Sequence, residues 1–325
     1  MVAKTNLIYT RMAFVLVLFF LSRSPLFADD AQANSLLQQG RVDEARISLQ
    51  GVLAAEPSNA YAHQLLCRVY YAQEMADAAI QECELGASQN PGDSNTQMWL
   101  GRAYGMKASH ARPLTAFALA RKVRYSFERA VQLDPQNIQA MSDLGEFYVE
   151  APAIVGGGLD KGRALASRMQ PRFPSQSHRL LALIASEDKD AGTAEAEFKK
   201  AVLAGRTAAA YIDLGQFYQR QNQPDKALEA LQAGIAADRR KDSSLVDAAS
   251  ILTAMNRSPQ LAEDLLREYL SSPAQSDDAP AFKVHVQLGN LLAHQGDATS
   301  AHREYAAAAA LASNYAPARK SLQGS

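Results

Sequence analysis

The apolar residues of this chain fall again and again at the spacing of an amphipathic helix. Three segments can be laid over one another: "MWLGRAYG" (98–105), "MSDLGEFYVE" (141–150) and "AYIDLGQFYQR" (210–220); "VHVQLGNLLAHQGD" (284–297) matches more loosely. In each, Leu-Gly is followed, three residues after the Gly, by Tyr or Leu. That spacing sets a small residue one helical turn before a large one on the same face. A second helix follows, in which an Ala precedes a Leu or aromatic by one turn, as Ala227 precedes Leu231, with Gly234 beyond. The pattern predicts helix pairs in which the small position lets the partner helix come close. No single pair can bury its apolar face alone, so successive pairs must stack.

The period is 34 residues, clearest in 208–241 and repeated in 60–93. Units are predicted at 26–59, 60–93, 94–137, 138–176, 177–207, 208–241, 242–275 and 282–315, with a capping helix in the tail "NYAPARKSLQ". Two units depart from the period. In 94–137, Tyr104 is separated from Val123 by 19 residues where other units use nine. In 138–176, Tyr148 is separated from Gly162 by 14.

This register resembles the tetratricopeptide repeat, over roughly 30–313. The resemblance implies an all-α, right-handed superhelix of helical hairpins whose first helices line an inner groove. Carried onto this chain, the family's ligand-facing positions are Tyr61, Gln64, Arg68 and Tyr71; Asn95, Met98 and Arg102; Gln139, Ser142 and Glu146; and Gln216 and Gln219. Lys283 and Asn290 fall there in the last unit. Some families of this repeat hold peptide carboxylates in a basic clamp, and Arg68 and Arg102 occupy equivalent positions for one.

The chemistry-bearing motifs are few. "IVGGGLDKG" lacks the G-x-x-x-x-G-K-[ST] of a phosphate loop and follows a helix where a dinucleotide fingerprint needs a strand. Pro152 and the glycines read instead as an enlarged turn between helices. The six histidines show no tight ligand spacing, and no nucleophile motif occurs. The sequence therefore points to no catalytic residue, no metal and no cofactor. A net charge of -1 gives no general case for nucleic acid. One local exception is the long unit, where Lys107, Arg112, Arg121, Lys122 and Arg124 precede any acid before Glu128. This basic stretch suits either a solvated face or an anionic partner.

The only cysteines, Cys67 and Cys83, occupy the small position of one helix and the large position of its partner. Both point between the paired helices, as two buried thiols or as a disulfide where the compartment is oxidising. Near the N-terminus, Lys4 and Arg11 precede the apolar run Met12–Leu21, followed by "SRSPLFADD". A helix over that run rises about 15 Å, half of a bilayer core of about 30 Å. Residues 1–28 therefore read as an export signal, with a retained anchor as the alternative. The expected function is a non-catalytic scaffold for protein–protein interaction, exported to the periplasm or beyond, in secretion, envelope assembly or polysaccharide export, with possible peripheral association with membrane machinery. A periplasmic ligand-binding or transporter-accessory protein is the alternative. If the signal is cleaved after Ala28, N-terminal sequencing of the envelope fraction will begin at Asp29; a full-length chain confined to the cytoplasm would refute export.

Overall fold

The computed structural model describes residues 30–324, so the expected export signal lies outside the described residues. Among the described residues, seventeen α-helices form eight consecutive hairpins and a final single helix. The hairpins pair α1 (Asp30–Gln38) with α2 (Val42–Ala55), α3 (Ala60–Ala72) with α4 (Ala76–Gln89), and α5 (Ser94–Ser109) with α6 (Pro113–Leu133). They continue with α7 (Ile138–Glu150) and α8 (Leu159–Met169), α9 (Pro174–Glu187) and α10 (Ala191–Gly205), and α11 (Ala208–Arg220) and α12 (Pro224–Ala237). The last two pair α13 (Ser244–Ala254) with α14 (Pro259–Ser271), and α15 (Ala281–His294) with α16 (Ala298–Leu311). The final helix is α17 (Ala316–Gly324), with Ala318 buried. Helix starts are set locally. Asn59, Asp93, Asn137 and Thr207 accept a backbone N–H three residues on, and α6, α9, α12 and α14 carry Pro in their first turn.

The predicted small-to-large contact is the centre of three hairpins. A Cβ on Gly101 would lie 2.5 Å from the Phe127 ring, one on Gly215 2.9 Å from Leu231, and one on Gly289 2.5 Å from the Tyr305 ring. Each large residue belongs to the second helix of the same hairpin. In the α3–α4 hairpin the same two positions are Cys67 and Cys83, and they are joined in a disulfide with Cα atoms 5.2 Å apart. A covalent bond thus stands where the other hairpins use a glycine against a bulky side chain. Gly145 differs, because its notch receives Leu180 of the following hairpin. Gly162 opens a second notch to Ile184 on the same helix, so α9 seats into both helices of its predecessor.

Polar pairs recur with the repeat. His63–Glu82, His178–Glu197 and His285–Glu304 each join the two helices of one hairpin at 2.6–2.7 Å. The Tyr104, Tyr148 and Tyr218 hydroxyls each donate back to a glutamate on the preceding hairpin: Glu84, Glu128 and Glu195.

The two insertions are built differently. The longer one extends the helices, so α6 has 21 residues where α4 and α12 have 14. The shorter one forms a 3-10 turn, Ala153–Val155, that tucks Val155 into the core and leaves Ile154 77% exposed. Its glycines cradle nothing. The N–H groups of Gly156, Gly157 and Gly158 donate to the carbonyls of Ala153, Pro152 and Tyr148. The left-handed φ of +102° at Gly156 makes this reversal easy.

The array bends until its ends meet. A Cβ on Gly40, in the α1–α2 turn, would sit 2.5 Å from the backbone nitrogen of Ala281. Asp43 accepts the N–H of Ser313 at 2.7 Å, and Lys283 pairs with Glu74 at 2.8 Å. One apolar core runs from Leu37 and Leu49 through to Leu288, Tyr305 and Ala318. The terminal faces that a solenoid would otherwise expose therefore partly cover each other. The disulfide closes a loop of 16 residues, and its reduction should cost about 3 kcal/mol of stability. Denaturant unfolding with and without reductant measures this, and Cys67→Ala/Cys83→Ala should unfold at the same point under both conditions.

Candidate functional site

The concave face is lined by the first helices α3, α5, α7, α9 and α11 and by the α14–α15 loop (272–280), with residues of α6 and α10 reaching it from behind. Repeat geometry stacks equivalent positions side by side, so charges one repeat apart meet across neighbouring helices. The Arg102 guanidinium donates to both carboxylate oxygens of Asp143, at 2.6 and 3.1 Å. Arg179 lies between Glu146 at 2.7 Å and Asp213 at 3.1 Å. Arg68 reaches Asp277 of the α14–α15 loop at 2.8 Å, a contact spanning 209 residues of sequence. Trp99 sits between two of these cations, with the Arg68 and Arg102 guanidinium carbons 5.5 and 4.6 Å from its ring centre and Tyr71 edge-on at 5.3 Å.

Two adjoining cavities run along this surface. One, of about 610 Å³, has Tyr71, Val123, Phe127 and Phe147 along its apolar part, with Asp278 and Glu150 at its edges. The other, of about 460 Å³, has Val149, Leu183, Phe198 and Phe217, with Glu187 and Arg220 at its edges. Both include Glu146 and Glu150, so they form one trough. Its arginines are largely consumed by carboxylates of the same chain, and several acids remain without an ion pair. On α13, outside both cavities but near Asp213 and Asp278, Asp247 is a further unpaired acid. It reaches solvent, but crowding by the concave wall and by Asp213, Asp278 and Asp242 pushes its carboxyl up to about 6. Desolvation and the adjacent Asp277 likewise raise Asp278.

The sequence-derived positions divide into three groups. Arg68, Tyr71, Arg102, Glu146 and Gln216 do line or border the trough. Tyr61, Asn95 and Gln139 are exposed but outside both cavities, with Ser142 and Gln219 half-buried. Gln64 and Met98 are corrected: they are 4% and 1% exposed, because their side of the helix faces neighbouring helices rather than the groove. Lys283 pairs with Glu74 at the closing seam, and Asn290 accepts the Tyr305 hydroxyl. The arginines expected as a clamp are both present, but each already holds a carboxylate of its own chain. Trp99, Asp143, Arg179, Asp213 and Asp247 escaped the sequence reading. They occupy one helix position, next to that of Gln64 and Met98, and charges recur there in four successive repeats. That recurrence was the available signal. Among the described residues, no group of three or more His, Cys, Asp and Glu side chains converges as a metal site.

In the basic stretch, Lys107 pairs with Asp77, Lys122 with Glu84 and Arg124 with Glu128, all from flanking segments. Arg112 and Arg121 have no ion pair among the described residues.

Because its folded pKa is raised, Asp247 favours the folded state fully only below the ordinary aspartate value, and this contribution is lost as pH rises toward about 6. Asp247→Asn should therefore raise the Tm at pH 7–8 and lose its advantage below about pH 4, in thermal melts across that range.

Comparison with known proteins agrees with this build. Tetratricopeptide repeat families match residues 36–103 and 208–241. No curated protein sequence matches the chain. Among solved structures, yeast Tom70 is similar at a TM-score of 0.52 and 15% identity, over 87% of this chain and 59% of that one. PilW, a type IV pilus biogenesis factor, has a TM-score of 0.46 and 15% identity, over 69% of this chain and 98% of its own. A thermophilic tetratricopeptide protein of Thermus thermophilus has 0.45 and 16%, over 69% and 100%. At these identities the likeness concerns the fold alone. The family matches lie on two stretches of hairpins, and the same helix-pair build continues through the described residues, so the chain carries tetratricopeptide repeats at 36–103 and 208–241 within an all-α solenoid of that fold.

Proposed function

We propose that the concave trough is the partner-binding surface of this scaffold and that it takes a segment carrying both cationic and apolar side chains. The observation that carries this reading is the pairing pattern within the trough. Apolar side chains line both of its cavities, Arg102 and Arg179 are engaged by internal carboxylates, and the unpaired Asp278, Glu150 and Glu187 outnumber the one unpaired arginine, Arg220, among the described residues. A lysine or arginine approaching such carboxylates gains attraction without first breaking an ion pair. A partner's carboxylate approaching Arg68 or Arg102 would instead have to displace Asp277 or Asp143. The bound segment is extended or helical, laid along the first helices.

The place of action we propose is an exported, oxidising compartment of the cell envelope, in secretion, envelope assembly or polysaccharide export. Two features support it: the apolar run Met12–Leu21 behind Lys4 and Arg11, and the Cys67–Cys83 disulfide, a bond suited to oxidising spaces.

Fluorescence anisotropy with a panel of basic amphipathic peptides and their acid-substituted counterparts tests the trough. The basic peptides should bind more tightly, and Glu150→Lys/Asp278→Lys should weaken them about tenfold or more, with both charges exposed enough to leave folding intact. Equal affinity for acidic and basic peptides would reject the reading.

A further inference from the structure

The helix α6 has an outward face unlike a scaffold's ordinary solvent face. Its 21 residues exceed the 14 of α4 and α12, an excess of about 10 Å of helix. The extra length is at the end joined to α5, where the hairpin stands beyond its neighbours. There Leu114 is 89% exposed and Phe117 37%, and further along the same face of the helix Tyr125 is 66% exposed. With Arg121 they follow the i, i+3, i+7, i+11 spacing of a single helical face, and Lys122 and Arg124 flank it. The opposite face holds the buried Leu119, Val123 and Phe127, so the fold already uses one side of α6 and leaves the other uncovered. From Ser94 to Phe127 there is no carboxylate, and Arg112 and Arg121 have no ion pair among the described residues. By contrast, α4 carries Asp77, Glu82 and Glu84, and α12 carries Asp225 and Glu229.

We propose that this protruding face of α6 docks on an anionic bilayer surface. Leu114, Phe117 and Tyr125 enter the boundary between headgroups and acyl chains, while Arg112 and Arg121 meet the lipid phosphates. The charge pattern and the shape argue together. Apolar side chains alternating with cations along one convex helix are the composition of an interfacial helix, whose binding sums buried apolar area and attraction to anionic lipid. Arginine suits that depth because its stem packs among apolar groups while its guanidinium stays at the phosphates. A partner peptide would find no groove here, since the face is the outside of a single projecting hairpin. The trough lies on the concave face, so a membrane contact through α6 is compatible with a segment held in the trough.

The test uses the full chain with its disulfide intact and Leu114→Cys labelled with bimane, whose emission reports local polarity. A site-specific probe separates docking by α6 from any affinity of the N-terminal apolar run. The label should shift to the blue on addition of vesicles of phosphatidylcholine mixed with phosphatidylglycerol, and stay unchanged with phosphatidylcholine alone. Arg112→Glu/Arg121→Glu should abolish the shift, and about 0.5 M salt should reduce the vesicle affinity about tenfold or more. A label at His302→Cys, exposed on the last hairpin, should report no change. No shift at position 114 with anionic vesicles, an equal shift with neutral ones, or a shift that survives the charge reversal would overturn the proposal. A shift with soluble polyglutamate but not with vesicles would also overturn it, assigning the face to an acidic protein.

Discussion

How closely two helices can approach within a hairpin governs this molecule. In three hairpins the first helix offers glycine and the second presses a large side chain against bare backbone, as Phe127 does on Gly101, Leu231 on Gly215 and Tyr305 on Gly289. The tightness of that contact sets the angle of each hairpin, and the stacking of hairpins repeats it. A constant small rotation accumulates into curvature. Here the curvature suffices to bring the first hairpin to the last, where Gly40 again leaves space, this time for the start of α15. The Cys67–Cys83 bond occupies the same position in the second hairpin and makes the close approach covalent.

Closure determines the electrostatics of the concave face. Charges that would be dispersed on an open array are gathered around one hollow. Taking a charge out of water is costly unless it is paired, and the chain answers with alternating pairs: Arg68 with Asp277, Arg102 with Asp143, Arg179 with Glu146 and Asp213. The series ends unbalanced at Asp247 and Asp278. Burial, with the neighbouring Asp213, Asp278 and Asp242, holds the carboxyl of Asp247 above the ordinary aspartate value.

The two irregular repeats put their extra residues to different uses. One lengthens a hairpin and exposes a basic, apolar helix face. The other spends its glycine N–H groups on its own carbonyls and buries Val155, so its glycine run is a turn that braces the next hairpin. Both lie beside the trough without contributing a nucleotide or metal site among the described residues.

The repeat was legible because burial imposes a period: Leu-Gly-x-x-Tyr and the Ala-x-x-x-Leu of the partner helix recur wherever two helices must touch. The hairpins, the placement of both insertions, the final helix and the position of the cysteines between paired helices all follow from that. The trough was only half legible. Arg68, Arg102 and Glu146 fall where the repeat places them, but Gln64 and Met98 turn inward, and the ladder of Trp99, Asp143, Arg179, Asp213 and Asp247 stands one position over. A shift of one residue rotates a side chain by about 100° around a helix, so a small error of phase exchanges groove for core. The sequence by itself determined the hairpins, because the contacts within each one are local. Only the tertiary structure decided that Arg68 is held by a loop 209 residues away and that the ends meet, because those outcomes depend on the sum of many small rotations, which no local pattern records.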